Sequence, residues 1–383
     1  MADSAGWDEE RQHFQEVLQA WNDYMSYSMQ RNNERRKALY SLPRAHQDRL
    51  LGLRADVPGP AGSGTSFHGF KAKLQEVDDR IRRNADVLEA MSEFCRTFLG
   101  ILEDNEAPLS TQDRIKVSET NQDRVRTAMK QMARDWSQEG EMERLLAYEP
   151  ILDALVARLP NDRRAQRVLV PGAGLGRLAF DIARLGYTTQ GNEFSYFMLI
   201  PAHFILNATT HVHQHTLYPY IHGASNWVHA ADMLRAVAVP DTLPSALPAD
   251  SDFSMVAGEF VEVYAKPEER GTWNAVATCY FMDTAKNVIR YLEVINALLP
   301  RGGYWINVGP LLWHFEHEDV PTVELTLDEI LELVVQCGFV IEETRMLEPQ
   351  MYTGMPNHML LHHYTPAFWV CRKDRDIDMA PVV

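Results

Sequence analysis

The chain has 383 residues, of which 45% are hydrophobic and 23% charged, with 21 Gly and 20 Pro. That is the composition of an ordinary globular protein of two to three units, and it excludes collagen-like, wholly disordered and coiled-coil chains. Lys and Arg number 37 against 53 Asp and Glu, a net charge of −16, whose field repels a phosphate backbone, so no nucleic acid partner is expected.

Residues 7 to about 40 carry Trp7, Phe14, Leu18, Trp21 and Met25 at helical spacing, and residues 68 to about 103 carry Phe70, Leu74, Val77, Ile81, Leu88, Met91, Cys95 and Phe98. Both stretches predict amphipathic helices. Between them, PGPAGSGTS at 58–66 reads as a flexible, solvated loop. A third helical stretch starts near residue 120 and ends at Pro160, Asn161 and Asp162. Residues 1–160 are therefore expected to form a helical N-terminal region without strands.

The texture changes at Arg167, where RVLVPGAG gives a short β-branched run that turns on glycine. LGRLAFDIARLG follows with helical period, and YTTQGNEFS reads as a second strand ending on an acidic residue, which completes one βαβ unit. Further strands are predicted in FSMVAGEF (253–260), TWNAVATCYFMD (272–283), GGYWINVGPLL (302–312) and FVIEETRML (339–347), with helices over 286–299 and 325–338. Strands alternating with helices predict an α/β core over 161–373, built on a mostly parallel sheet covered on both faces, and residues 374–383 a frayed tail.

An insertion at about 201–250 interrupts this alternation and holds His203, His211, His213, His215, His222 and His229. HVHQH alternates instead of offering helical i, i+4 ligands, and no Cys or Glu completes a set, so no metal is expected. With Tyr218, Pro219, Tyr220 and Trp227 the insertion suits a lid or wall of a substrate cleft. Cys95, Cys279, Cys337 and Cys371 form no C-x-x-C pair and read as reduced thiols. The acidic start lacks a secretory pattern and no run of 18 apolar residues occurs, so a soluble cytoplasmic or nuclear protein with no membrane partner is expected.

In VLVPGAGLGR the glycines are Gly172, Gly174 and Gly176, on a loop joining a strand to a helix, where backbone approaches a nucleotide closely. The dinucleotide fingerprint needs its third glycine at 177, where Arg177 stands, which disfavours a nicotinamide dehydrogenase. The spacing suits S-adenosylmethionine instead. Glu193 falls at the tip of the second strand, placed to accept both ribose hydroxyls, and Glu259 with Phe260 ends the third, where adenine is read; a solvated strand end is the alternative for Glu259. Val170 occupies a position that class I methyltransferases often give to an acidic residue, so the methionine end needs other partners.

PGAGLGRLAFDIARLGYTTQGNEFSYFML, FMDTAKNVI and GGYWINVGPLLWHFE together resemble the carnosine N-methyltransferase family, over about Val125 to Lys373. The resemblance implies a Rossmann-like class I methyltransferase core of seven strands with a helical N-terminal region, S-adenosyl-L-methionine as cofactor with S-adenosyl-L-homocysteine as product, and methyl transfer to the imidazole of β-alanyl-histidine to give anserine. It implies that Gln131 and Arg134, in KQMARDW, reach the methionine end, so that 120–160 contributes to the cofactor site. Gly172, Gly174 and Arg177 join the same shell, Glu193 holds the ribose, and Glu259 with Phe260 holds adenine; Asp283, His314, Tyr352 and Tyr364 bind the dipeptide. A homodimer is compatible with it.

Methyl transfer to nitrogen is an in-line displacement that needs a neutral lone pair held at attack distance. A carboxylate that accepts one imidazole N–H leaves the other nitrogen free to attack, and Asp283, at the carboxyl edge of a predicted strand, suits that work. The alternative is that Asp283 caps the following helix. His314 follows the next strand and either bonds the substrate or is a core histidine between Trp313 and Phe315. A nucleobase amino-methyltransferase is disfavoured by MDTA in place of [DNS]-P-P-[YFW]. A methyltransferase for another histidine-containing peptide or protein, and a catalytically silent scaffold, stay open.

Overall fold

The computed structural model describes residues 4–57, 65–98, 118–355 and 357–380. The chain divides into a helical unit, residues 1–140, 200–245 and 353–361, and a sheet unit, residues 141–199, 246–352 and 362–383. The helical unit begins with α1 (Ser4–Asn22), α2 (Tyr24–Ser41), α3 (Arg44–Leu51), β1 (Arg54–Val57), β2 (Thr65–His68), α4 (Phe70–Phe98) and α5 (Glu119–Trp136). The sheet unit follows with α6 (Glu141–Arg158), β3 (Arg167–Pro171), α7 (Arg177–Arg184), β4 (Thr188–Glu193) and the start of α8 (Tyr196–Ala208). The rest of α8, β5 (His215–Leu217), α9 (Ala230–Leu234) and β6 (Val237–Val239) belong to the helical unit. The sheet unit then ends with β7 (Phe253–Ala257), α10 (Phe260–Tyr264), β8 (Ala275–Cys279), α11 (Val288–Leu298), β9 (Tyr304–Gly309), α12 (Leu327–Gln336), β10 (Phe339–Met346) and β11 (Ala367–Lys373).

In the helical unit, apolar stripes at i, i+3 and i+4 bury Phe14, Val17, Leu18 and Trp21 of α1, Leu74, Val77, Ile81 and Leu88 of α4, and Val125, Met129 and Met132 of α5. The single helix predicted over 7–40 is two, separated at Asp23, and Pro43 lies just past the end of the second. The helix predicted from 120 to 160 is broken at Gln138–Gly140, where a Cβ on Gly140 would lie 1.9 Å from the Arg134 carbonyl oxygen, so glycine alone passes. The first 160 residues also contain an unexpected antiparallel hairpin, β1 with β2. Of the loop expected at 58–66, residues 65 and 66 lie in β2 and 58–64 lie outside the described residues.

The 201–250 insertion belongs to this helical unit as far as Ser245. Asn84, fully buried on α4, donates to the Tyr24 hydroxyl (2.9 Å) and the Tyr218 carbonyl (3.0 Å) and accepts the Tyr218 N–H (2.7 Å). One side chain thus satisfies both main-chain groups of a residue that would otherwise be buried without partners.

In the sheet unit the strand order is β10-β11-β9-β8-β3-β4-β7. β3, β4, β7, β8 and β9 pair in parallel, and β11 runs antiparallel to both β9 and β10. This is the mostly parallel sheet that the alternation predicted, with the seven strands that the resemblance implied. Successive residues on each strand enter different cores: Trp305 and Trp369 pack with Leu292, Ile295 and Phe339, whereas their neighbours Ile306 and Phe368 pack with Ile151, Leu155 and Ile182. The period of two sends them to opposite faces, so both faces are dry.

Two expected boundaries move. The sheet unit begins at Glu141 rather than residue 161, because α6 supplies Ile151 and Leu155 to the core beneath Val168 and Val308. The stretch 374–380, expected to fray, is tied to α11: Asn296 donates to the Arg375 carbonyl (3.0 Å), Arg290 donates to the Ala380 carbonyl (2.9 Å), and Ala380 N–H donates to Glu293 (3.1 Å). Strand order reverses between β3 and β8, and in open α/β sheets ligands bind in the crevice beyond the carboxyl ends at that switch.

Candidate active site

Both segments that leave the switch carry the chemistry singled out in the sequence. Beyond β3, Gly172 and Gly174 have φ of 64° and 55°, and a Cβ on Gly172 would stand 2.5 Å from Cδ2 of Phe281. Only glycine reaches this turn without strain or displacement of that ring. Glu193, at the end of β4, closes the turn: its carboxylate accepts the N–H of Gly174, Phe194 and Ser195, each at 2.9 Å. Burial pushes this carboxyl above its ordinary range, while those three bonds pull it down. They take three of the roughly four acceptor positions of a carboxylate, so Glu193 is first a strut of the glycine loop, with about one position left for a ribose hydroxyl.

Arg177, the first residue of α7, is buried and pairs with Asp181 one turn on at 3.1 Å. Glu259 is the N-cap of α10 and accepts the Glu262 N–H at 2.8 Å; it is half-buried, and burial raises its carboxyl, partly offset by the main-chain bonds. The Phe260 ring is a core residue, edge-on to Phe281 at 5.4 Å and to Tyr291 at 5.3 Å. Gln131 and Arg134 lie on α5 of the helical unit, both buried, and Arg134 donates to Asp135 at 2.6 Å.

Beyond β8, a short turn over Met282–Thr284 buries Asp283, which is 2% exposed. Its Oδ2 accepts the Leu312 N–H at 2.9 Å, and its carbonyl accepts the His314 N–H at 3.0 Å, so the segment after β9 is laid against it. Oδ1 is buried and has no hydrogen-bond partner among the described residues. Burial pushes the carboxyl above its usual range, against the Leu312 N–H and the charge of His314, which pull it down. The helix-cap alternative fails, because the N-cap of α11 is Asn287, whose side chain accepts the Arg290 N–H at 3.3 Å. The core-histidine alternative fails as well, since the His314 side chain is exposed.

Tyr352 and Tyr364 converge on a residue the sequence reading missed. Tyr280 stacks obliquely on Tyr352 at 4.8 Å and stands edge-on to Tyr364 at 6.1 Å, and paired main-chain bonds between Gln350 and Tyr364 hold that strap in place. Tyr280 has φ of 54°, a left-handed conformation rare for an aromatic residue and characteristic of positions under functional constraint. It fits because Gly309 faces it on β9, where a Cβ would come within 3.3 Å of its backbone. The available signal was its place, between the last strand residue and Asp283.

A family model described as Carnosine N-methyltransferase matches residues 111–375. A carnosine N-methyltransferase of Schizosaccharomyces pombe is 39% identical over 95% of this chain and 96% of its own length. The chain belongs to the carnosine N-methyltransferase family. The mouse protein of that name is 36% identical over 95% of this chain and 86% of its own, and the Drosophila melanogaster protein named carnosine N-methyltransferase unmet is 41% identical over 65% and 55%. The cofactor of this family's fold is S-adenosylmethionine, and the residues present fit it. A Cβ would fill the cradle at Gly172, the loop backbone is fixed from beneath by Glu193, and a half-buried carboxylate stands at the start of α10.

Proposed function

We propose that this enzyme methylates the imidazole ring of a small histidine-containing peptide of the carnosine type, giving an anserine-type product, and that Asp283 holds the ring. The observation that carries this reading is the buried Oδ1 of Asp283, an acceptor without a donor; a buried polar group left so is costly unless a ligand completes it. S-adenosylmethionine, when bound, supplies an electrophilic methyl group on sulfonium sulfur. Asp283 accepts one ring N–H, which fixes the tautomer and leaves the lone pair of the other nitrogen to form the new N–C bond as the C–S bond breaks. Positive charge develops on the ring beside the carboxylate, in a site with little water to screen it. The carboxyl, raised by burial, then accepts the N–H proton and releases it to solvent. Tyr280, Tyr352 and Tyr364 supply an aromatic wall suited to a ring that becomes cationic.

Asp283→Asn tests the assignment: calorimetry should show S-adenosylhomocysteine binding retained, while kcat falls by about 10²–10³, the usual effect of removing a preorganised electrostatic partner. Turnover like that of the parent would sink it. The acceptor is settled by incubating labelled S-adenosylmethionine with β-alanyl-histidine, free histidine, glycyl-histidine and a histidine-containing protein and locating the methyl group by mass spectrometry. Cofactor binding with no labelled imidazole would favour a silent scaffold. Cys95, Cys279, Cys337 and Cys371 are in no disulfide, and three of them are buried, which supports a reducing compartment, cytoplasm or nucleus.

A further inference from the structure

The helical unit holds a cavity of about 450 Å³ whose walls include Ser28, Asn32, Arg31, Arg35, Arg126 and His222. Its charges are unevenly paired, with Glu34 and Glu119 also in the lining. Arg31 is neutralised by Glu34 and Glu119, and Arg126 is paired with Asp123 at 2.8 Å. Arg35 and Lys73 have no carboxylate partner among the described residues; Lys130 feels only Asp123, which Arg126 already uses. Burial and mutual repulsion push all three of these cations down: Arg35 against Arg126, Lys73 against Arg35, and Lys130 against Arg126. Of the three arginines in the lining, Arg35 is thus the one without a carboxylate of its own among the described residues, in a chain of net charge −16.

The hydrogen-bond pattern is also incomplete. Arg126 Nε and Asn32 Oδ1 are buried with no partner among the described residues. Asn84 donates to the Tyr24 hydroxyl, and that hydroxyl shares a hydrogen bond with Nε2 of His222 at 2.8 Å; the tautomer in which the hydroxyl donates carries the ring proton on Nδ1. Nδ1 is buried with no hydrogen-bond partner among the described residues. Arg35 is held against this wall by a bond to the His222 carbonyl at 2.7 Å. The lining also has an apolar part, from Val77, Ile81 and Ile221.

We propose that this cavity binds a small organic phosphate, its phosphate on Arg35, Arg126 and the His222 Nδ1–H, and its organic body against Val77, Ile81 and Ile221. Guanidinium forks match phosphate oxygens in pairs. The volume lies in the range of small-molecule sites and exceeds what a lone phosphate fills. Binding an anion removes the repulsion among Arg35, Arg126, Lys73 and Lys130.

Titration calorimetry on the full chain, with the cofactor cleft saturated by S-adenosylhomocysteine, tests this with uridine 5′-monophosphate, ribose 5-phosphate, inorganic phosphate and citrate. A phosphomonoester should bind saturably and more tightly than inorganic phosphate. Arg126→Gln should weaken it at least about tenfold, as expected for loss of a charge-assisted hydrogen bond. Arg126→Lys keeps the charge and loses the fork, and should weaken it less while leaving the thermal midpoint near that of the parent, which guards against a variant that fails to fold. No saturable binding of any phosphate, equal affinity for inorganic phosphate, tighter binding of citrate, or indifference to Arg126→Gln would each overturn the assignment.

Discussion

Asp283 and the Arg35–Arg126 pocket pose opposite electrostatic problems. At the carboxyl edge of β8 a carboxylate is buried with no Lys or Arg partner among the described residues; in the helical unit, Arg35 lines a cavity with no carboxylate partner among the described residues. A net charge of −16 describes neither place. A fold keeps a buried charge only where something compensates it, and the sign of what is missing indicates the ligand: a ring that becomes cationic in one case, an anion in the other.

The contrast breaks most directly at Asp283. Burial raises its carboxyl above the unfolded value, about 3.9, so ionisation opposes folding, and this destabilisation grows as pH rises through the unfolded value. Asp283→Asn removes it, so the loss of turnover by about two orders of magnitude or more should accompany a thermal midpoint at pH 7 above that of the parent. A midpoint that falls in calorimetry would mean that the charge stabilises the fold.

Asn84→Ala tests the other region. It leaves the Tyr218 N–H and carbonyl buried without partners, so stability should drop by about 2–3 kcal/mol, the scale for unsatisfied buried groups. An unchanged urea midpoint would show that the main chain of Tyr218 has other recourse.

A smaller effect separates the two regions by pH. Burial, with help from Arg126, Lys130 and Arg35 and against the Pro219 carbonyl, pushes His222 down to about 3, whereas the unfolded value is about 6.5. Its neutral form therefore favours folding above that value, and the benefit is lost as pH falls from about 6.5 towards 3. His222→Gln, whose carbonyl still accepts from Tyr24, should flatten the fall in thermal midpoint between about pH 6.5 and 5; an identical fall would acquit His222.

The smallest change concerns Glu259. Gln can cap α10 as Glu does, so Glu259→Gln should alter S-adenosylhomocysteine affinity less than about threefold. A tenfold loss in calorimetry, about 1.4 kcal/mol, would instead give its charge a direct part in holding the cofactor.

The sheet and one half of the site were legible because their signals are local. VLVPGAG turns from strand to glycine within seven residues, and CYFMD brings strand end, aromatic residue and carboxylate together. The structure adds what spacing cannot express: Glu193 spends its bonds on Gly174, Phe194 and Ser195, and Tyr280 occupies a backbone region that few side chains tolerate. The hairpin of β1 and β2 was hidden because RADV and TSFH show no clean alternation of apolar and polar residues. DRDIDM looked like solvent because its attachment runs through main-chain groups to Asn296 and Glu293. The cation pocket was invisible because its members, near residues 31, 126 and 222, are scattered along the sequence.

That scatter also has a meaning in time. The helical unit draws on three separate stretches of sequence, the last of them at 353–361, and Tyr24 meets His222 across 198 residues. A chain emerging from the ribosome can form α1 and α2 early, yet it cannot complete their core until Asn84 meets Tyr218, 134 residues later. Contacts of such long range fold slowly and leave apolar helix faces exposed meanwhile. The N-terminal helices therefore need protection for much of synthesis, and a fragment ending at residue 140 would carry an unfinished core.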